Sequence, residues 1–192
     1  TSTNGSRLFL DGQLHVPVGA ALAGAEHVTL QSDAVLAGTS ASRMNGDMRM
    51  QREIPSPAGW RMMASPVPTT YSELLSTLWT QGAAGSDHPP GQSTQYSYSG
   101  SDFSSISDLN DALEPGHGFI VYVFADTNRD RTPDPFPFTL TASGMESGVD
   151  LDLTDRLHPD PLGWTLLGNP FAAPVDFDDF TVGEGVDRSV YV

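Results

Sequence analysis

Apolar and polar residues alternate through the first third of the chain, in short segments separated by Gly, Asp and Ser. The alternation is clearest at 8–18, 28–36 and 44–50. A period of two predicts β-strands, because successive side chains of a strand point to opposite faces of the sheet. The segments return at even intervals, which fits a small β-solenoid whose rungs stack on one another. A plain meander of strands fits the same spacing, so the pattern leaves both arrangements open.

Two later segments share the same order of residue types, position by position. Residues 59–67 read GWRMMASPV and residues 163–171 read GWTLLGNPF. The chain contains only three tryptophans, so the recurrence indicates one structural unit used twice. We expect Trp60 and Trp164 to begin matched strands and to anchor their indoles in the core or at a sheet edge. The second copy stands so close to Val192 that the chain is expected to end inside a unit.

The rest of the chain is predicted to form further strands and little helix. Thr70 and Glu73 have the spacing of a capping box, and the apolar residues that follow predict one short helix at 71–79. The aspartates from Asp176 onward are expected to cap a second short helix. Further strands are predicted at 96–98, 116–124, 136–142, 149–153 and 189–192.

These elements predict an all-β protein with three parts. Residues 1–55 form a strand ladder, solenoid-like or meandering, and residues 56–162 form a β-sandwich or jelly-roll-like domain with one short helix. Residues 163–192 form the incomplete start of a second, matching β unit. The alternative is that the two later parts close one sandwich around a pseudo-twofold axis.

Composition limits the classes of partner. The formal net charge is −15, and all nine basic residues are arginine. An acidic surface repels phosphate groups, so nucleic-acid binding is not expected. No apolar run reaches the length of a membrane span, so membrane insertion is not expected either. Adaptation to high salt and a GC-rich genome explain the absence of lysine equally well. With no cysteine, stability has to come from packing, ions or assembly.

One loop has the composition of a calcium site. Oxygen-bearing side chains occupy every second position of the segment that begins at Asp126, and Ca²⁺ prefers six to eight oxygen ligands. The series resembles an Asp-rich loop of the EF-hand or thrombospondin type 3 kind, but Arg131 stands where Gly is usual and Pro137 where a bidentate Glu is usual. A hairpin loop whose aspartates cap turns is the alternative. The candidate ligands are Asp126, Asn128, Asp130, Thr132 and Asp134.

A second candidate site is aromatic. Trp79, Tyr96 and Tyr98 could form a platform for sugar rings, although core packing is the commoner role of such residues. The five histidines show no metal-binding spacing, and there is no nucleophile elbow or phosphate-binding glycine loop. We therefore expect no enzymatic activity.

The two Gly-Trp segments and the intervening 113–119, LEPGHGF, resemble a recurrent region of very large secreted bacterial proteins. These are the adhesin-like surface proteins of the Bacteroidetes–Rhodothermota group, which carry a C-terminal sorting domain for type IX secretion. In that family a strand ladder like that at 8–54 precedes the first Gly-Trp strand. The resemblance implies an extracellular or cell-surface location for this chain, and acidic loops in related sequences favour Ca²⁺ as a cofactor.

The function expected from these observations is structural. The chain is interpreted as a non-catalytic module of a surface protein, a building block of a filament or adhesin. Its partners would be further copies or other surface proteins, joined by strand addition at an unpaired sheet edge. The alternative, from another class, is a carbohydrate-binding module of a secreted enzyme, with glycans as the partner.

Overall fold

The alternating segments of the first third form stacked parallel strands. In the computed structural model, which describes residues 7–37, 43–146, 151–160, 162–187 and 189–190, the chain returns to the same line of strands once per rung. β1 pairs with β4 and β4 with β7, β2 pairs with β5, and β3 pairs with β6, all in parallel. The strands are β1 Leu8–Leu10, β2 Gln13–His15, β3 Ala21–Ala23, β4 Val28–Leu30, β5 Val35–Ala37, β6 Arg43–Asn45 and β7 Met48–Ile54.

Parallel pairing decides between the two arrangements that the spacing left open. Neighbouring strands of a meander are joined by hairpins and run antiparallel, whereas the rungs of a solenoid run parallel. The solenoid-like ladder is therefore confirmed. Its interior is filled by alternate apolar side chains such as Leu30, Leu36 and Met48, which are at most 6% exposed.

The second part of the chain is also built from strands. Its elements are β8 Gly59–Met63, β9 Thr69–Thr70, α1 Tyr71–Leu74, β10 Gln95–Gly100, β11 Asp102–Ser105, β12 Ala112–Leu113, β13 Phe119–Val123, β14 Phe138–Gly144 and β15 Trp164–Thr165. Single-turn 3-10 helices lie at Ala25–His27, Thr154–Arg156 and Phe177–Asp179. The all-β prediction is confirmed. None of the helices in the described ranges has the length and apolar character that a membrane-spanning helix needs.

Strand β7 connects the ladder to the second part. It pairs in parallel with β4 and, on its other edge, antiparallel with β14 along its whole length. The resulting four-stranded sheet has the order β1-β4-β7-β14. One cluster of buried apolar residues runs from the ladder into the second part. The ladder and the second part therefore share both a sheet and a core.

A five-stranded sheet carries the rest of the second part, in the order β11-β10-β13-β8 with β15 also paired to β10. One face of this sheet is buried: Phe119, Val121 and Val123 of β13 are 0% exposed. Tyr71 of α1 packs edge-on against Phe119, with ring centroids 5.1 Å apart. The intervening residues of β13 point to the other face of the sheet.

The helix begins where it was predicted and ends early. Thr70 and Glu73 form the expected capping box. The prediction of a helix to residue 79 is wrong, because α1 ends at Leu74 and is followed by turns. Ser and Thr residues favour such turns, and the Thr77 hydroxyl donates to the Thr139 carbonyl of β14 instead of supporting a further helical turn. The predicted cap at Asp176 is confirmed: its Oδ1 accepts the Asp178 N–H at the start of a 3-10 helix.

Two predicted strands are not found where the structure describes them. Residues 151–153 form no strand, because Asp152 accepts the Thr154 N–H and turns the chain into a 3-10 helix. Residues 149–150 lie outside the described residues. Residues 189–190 are not in a strand either, and 191–192 lie outside the described residues.

The duplicated segments belong to the same five-stranded sheet but pair with different strands. The first, in β8, pairs with β13, and the second continues past β15 to hydrogen bond with 116–118 just before β13. The segments meet at equivalent positions, where a side chain on Gly168 would overlap Ala64. The prediction that each tryptophan begins a strand is confirmed. The core position predicted as one alternative for the indoles is wrong, since Trp60 is 50% exposed and Trp164 is 46% exposed. The other alternative, a sheet edge, fits Trp60, because β8 stands at one end of the sheet order.

Candidate functional site

The outer face of the five-stranded sheet carries an exposed group of aromatic and large apolar side chains. Trp60 is paired in register with Tyr122, and Met62 with Ile120, so these four side chains lie on one face. Met62 is 70% exposed. Tyr96 is paired with Ile120 and therefore extends the same face onto β10. We call this surface, formed by residues of β8, β10, β11 and β13, the aromatic face.

Ring contacts hold the aromatic face together. The Trp60 ring packs edge-on against Tyr96 at 5.7 Å and against Tyr122 at 5.4 Å between centroids. Tyr98 packs against Phe103 of β11 at 4.8 Å. Edge-to-face contacts of this kind fix ring orientations while leaving part of each ring open to solvent.

An open groove of about 520 Å³ runs over this surface. Its lining is mainly apolar, and its polar contribution includes Arg61. The Arg61 guanidinium donates hydrogen bonds to the carbonyls of Pro55, Pro57 and Trp60. The full lining is Trp60, Arg61, Met62, Tyr96, Phe103 and Ile120.

The structure brings together two of the three predicted platform residues and separates the third. Tyr96 and Tyr98 lie on β10 with one residue between them, hence on the same face, and both are partly buried. Trp79 is also partly buried and sits after α1. Arg129 lies between Trp79 and Phe124, with its Cζ 4.9 Å from the Trp79 ring and 5.4 Å from the Phe124 ring. Phe124 in turn packs against Tyr122 of the aromatic face.

Sequence reasoning missed the most exposed members of the aromatic face. The pattern places Trp60 in the core or at a sheet edge, and it does not single out Met62 or Phe103. The sequence contains a signal for this face, because Trp60 and Met62 are two residues apart in one strand, and Tyr96 and Tyr98 are two residues apart in another. Large apolar residues of one parity mark a face, but only pairing with β13 shows which face is covered.

The aspartate loop at 126–134 is held by its own acidic side chains. The N–H and hydroxyl of Thr127 both donate to Asp134 Oδ2, at 2.7 Å each. These hydrogen bonds lower the pKa of the Asp134 carboxyl. Asp126 accepts the N–H groups of Arg129 and Arg131, one on each carboxylate oxygen. The loop is thus a series of Asx-type turns.

The five predicted calcium ligands all lie in this loop. Asn128 Oδ1 accepts the Asp130 N–H, and Asp130 Oδ1 accepts the Thr132 N–H. Arg131 has a φ of 73°, the left-handed conformation for which calcium loops ordinarily use Gly at this position. In the described parts of the chain, no three His, Cys, Asp or Glu side chains are grouped so as to hold a metal ion. Calcium binding stays a prediction.

A smaller cleft of about 140 Å³ lies beside the turn at 116–118. Arg156 Nη1 lies 3.0 Å from His117 Nδ1. A guanidinium only donates, so Nδ1 is the acceptor and the neutral imidazole carries its proton on Nε2. Burial, and then the positive charge of Arg156, lower the pKa of His117, while Glu114 acts in the opposite direction. Burial and the Arg156 charge thus favour the neutral imidazole.

Comparison of the chain with protein-family models, with curated proteins and with solved structures gives no match. The geometry of the described residues is therefore what supports any functional statement.

Proposed function

We propose that this chain is a non-catalytic structural module of an extracellular or cell-surface protein. The observation that carries the proposal is the shared strand β7, which belongs to the parallel ladder on one edge and to the antiparallel pair with β14 on the other. A continuous sheet with a continuous core transmits load between its two ends, as a spacer or filament unit requires. The acidic surface, with its net charge of −15, favours solubility outside the cell in high salt.

The titratable groups also favour a non-catalytic role. Catalytic sites usually bring together groups whose pKa values are perturbed by one another. In the ranges that the structure describes, no two of the groups with shifted pKa values are hydrogen bonded to each other. Those groups are Tyr71, His117, Asp134, Glu146 and Asp152.

Location is the part of the proposal that can be tested first. An antibody raised against the folded chain should label intact cells of the producing organism, and brief protease treatment of intact cells should remove the signal. Type IX export, adhesin-like assembly and a halophilic source belong to the same proposal. Labelling that needs lysed cells would contradict it.

Assembly by strand addition is the proposed mode of self-association. The strands β8 and β11 stand at the two ends of the sheet order and offer an edge to another chain. Sedimentation equilibrium should show mass rising with protein concentration. A monodisperse monomer over the whole concentration range would refute strand addition between copies.

Glycan binding is the second candidate function, and the groove on the aromatic face favours it. Sugar rings present C–H faces that stack on exposed aromatic rings, and Trp60 and Tyr96 line an open groove of about 520 Å³. The proposed occupant is therefore a chain of sugar rings, with Tyr98 and Trp79 at the margin of the site.

A glycan array separates this candidate from the purely structural one. We expect binding to a polysaccharide that the Trp60→Ala variant loses. Trp164→Ala is the matched control, because Trp164 is similarly exposed but does not line the groove. Absence of binding to any glycan, or equal loss in both variants, would refute the groove as a glycan site.

A further inference from the structure

A gap in strand pairing creates the small cleft beside His117. β10 pairs with β13 at Gln95 and Tyr96 and with β15 at Ser99 and Gly100. Residues 97–98 therefore fall between the two partner strands. The opposite wall of the cleft is the turn at 116–118, which hydrogen bonds to the residues after β15. The cleft of about 140 Å³ thus lies at the junction of three segments that are distant in sequence.

The cleft contains hydrogen-bond donors with capacity to spare. Arg156 has five N–H donors, of which one is directed to His117 Nδ1. The same contact leaves the His117 proton on Nε2, on the side of the ring away from Arg156. Thr165 Oγ1 accepts the His158 N–H, so its own hydroxyl hydrogen is available to donate. The walls formed by Tyr98, Leu166 and Leu167 supply apolar surface.

The charge of Arg156 lies in a cleft and is not neutralised by a carboxylate of the described residues. Although the chain has 24 acidic residues, the one ion pair within the described ranges joins His27 to Glu26. Among those residues, Arg156 makes its side-chain contact with a neutral imidazole and has no carboxylate at ion-pair distance. A positive charge in a small cleft favours an anion, and the planar guanidinium matches a carboxylate with two parallel hydrogen bonds.

We propose that this cleft binds the carboxylate of a small organic acid or of an acidic sugar. Arg156 donates to the carboxylate through the N–H groups not directed to His117, the hydroxyl of Thr165 donates to it, and the apolar walls contact the carbon skeleton. The cleft volume admits one such group and excludes a polymer chain. The proposal does not depend on the structural role or on the aromatic face.

Isothermal titration with sodium acetate and with sodium D-glucuronate, at constant ionic strength, tests the proposal. The parent protein should bind with a dissociation constant in the millimolar range or below. Arg156→Gln should weaken binding at least about tenfold, the loss expected for one charge-assisted hydrogen-bonded contact. Arg156→Lys keeps the positive charge but loses the paired N–H donors of the guanidinium, so it should weaken ligand binding less than Arg156→Gln does. Arg131→Gln is the matched control, because it removes the same charge from an exposed loop.

The outcomes distinguish the two sources of the carboxylate. Tighter binding of glucuronate than of acetate identifies an acidic sugar, and equal binding identifies a small organic acid. Nitrogen-detected imidazole spectra should show the Nδ1 resonance of His117 moving on addition of ligand, because this atom contacts Arg156. Circular dichroism should confirm that each variant is folded. Three results would overturn the proposal: no saturable binding, unchanged binding in folded Arg156→Gln, or equal competition by sulfate.

Discussion

Replacing Trp60 by alanine tests whether the side of the five-stranded sheet that carries Trp60 is exposed to solvent. Because Trp60 is 50% exposed, it buries about half of the roughly 200 Å² that a tryptophan buries in a core. At about 25 cal/mol per Å², that is at most ~2.5 kcal/mol. The neighbouring Tyr96 and Tyr122 rings are partly open to solvent, so truncation leaves no closed cavity. We therefore expect the Trp60→Ala variant to lose about 1–2 kcal/mol of unfolding free energy.

The buried face of the same sheet provides the comparison. Phe119 is paired with Met63 on β8, is 0% exposed and packs against Tyr71. Its replacement by alanine removes a whole core ring and should cost about 3–5 kcal/mol. The two replaced side chains thus differ in burial, although both lie on the paired strands β8 and β13.

Urea denaturation followed by far-ultraviolet circular dichroism gives both free energies, and an unchanged m-value shows that the two can be compared. Acrylamide quenching of tryptophan fluorescence provides an independent measure of exposure. If the Trp60→Ala variant lost as much as the Phe119→Ala variant, the indole would be in the core and the aromatic face would not exist.

Three further predictions concern charged groups. Burial raises the pKa of the Glu146 carboxyl, although the Ala172 N–H donates a hydrogen bond to it. The stability that the protonated Glu146 side chain contributes is therefore present below the ordinary glutamate pKa, and it is lost as the pH rises through the folded pKa. The Glu146→Gln variant should therefore have a higher melting temperature than the parent at neutral pH and the same melting temperature in acid. A difference in melting temperature that does not change with pH would contradict this. The pKa of Asp134 is lowered, so its carboxylate stabilises the fold at neutral pH. The Asp134→Asn variant should have a lower melting temperature than the parent at neutral pH, and this difference should become smaller as the pH falls through the folded pKa. Adding Ca²⁺ to chelator-treated protein should raise the melting temperature if the loop at 126–134 binds it, and no shift at low millimolar ion would count against that site.

Much of the local structure follows from short-range patterns. The capping box at Thr70 and Glu73 forms as the spacing predicts, because both hydrogen bonds close within one turn of chain. The apolar run at 116–124 predicts the central strand β13 for a similar reason. The predicted strand at 149–153 is wrong where it is described, because the Asx turn at Asp152 outweighs alternation in so short a segment.

The candidate sites depend on contacts between distant residues. Period-two alternation places Trp60 and Met62 on one face of β8 but cannot say whether that face is covered. The contact of Arg129 with Trp79 and the contact of Arg156 with His117 likewise join segments that no local pattern connects.

Short-range patterns predicted most of the strands, their even spacing in the first third and the recurrence of the Gly-Trp segment, because each of these depends on residues close together in the chain. Only the folded chain shows that the rungs run parallel, that β7 connects the ladder to the second part through β14, and that the indoles face outward. Pairing partners and buried faces are chosen by the free energy of the whole core, to which every strand contributes, and a local pattern contains only one side of each contact.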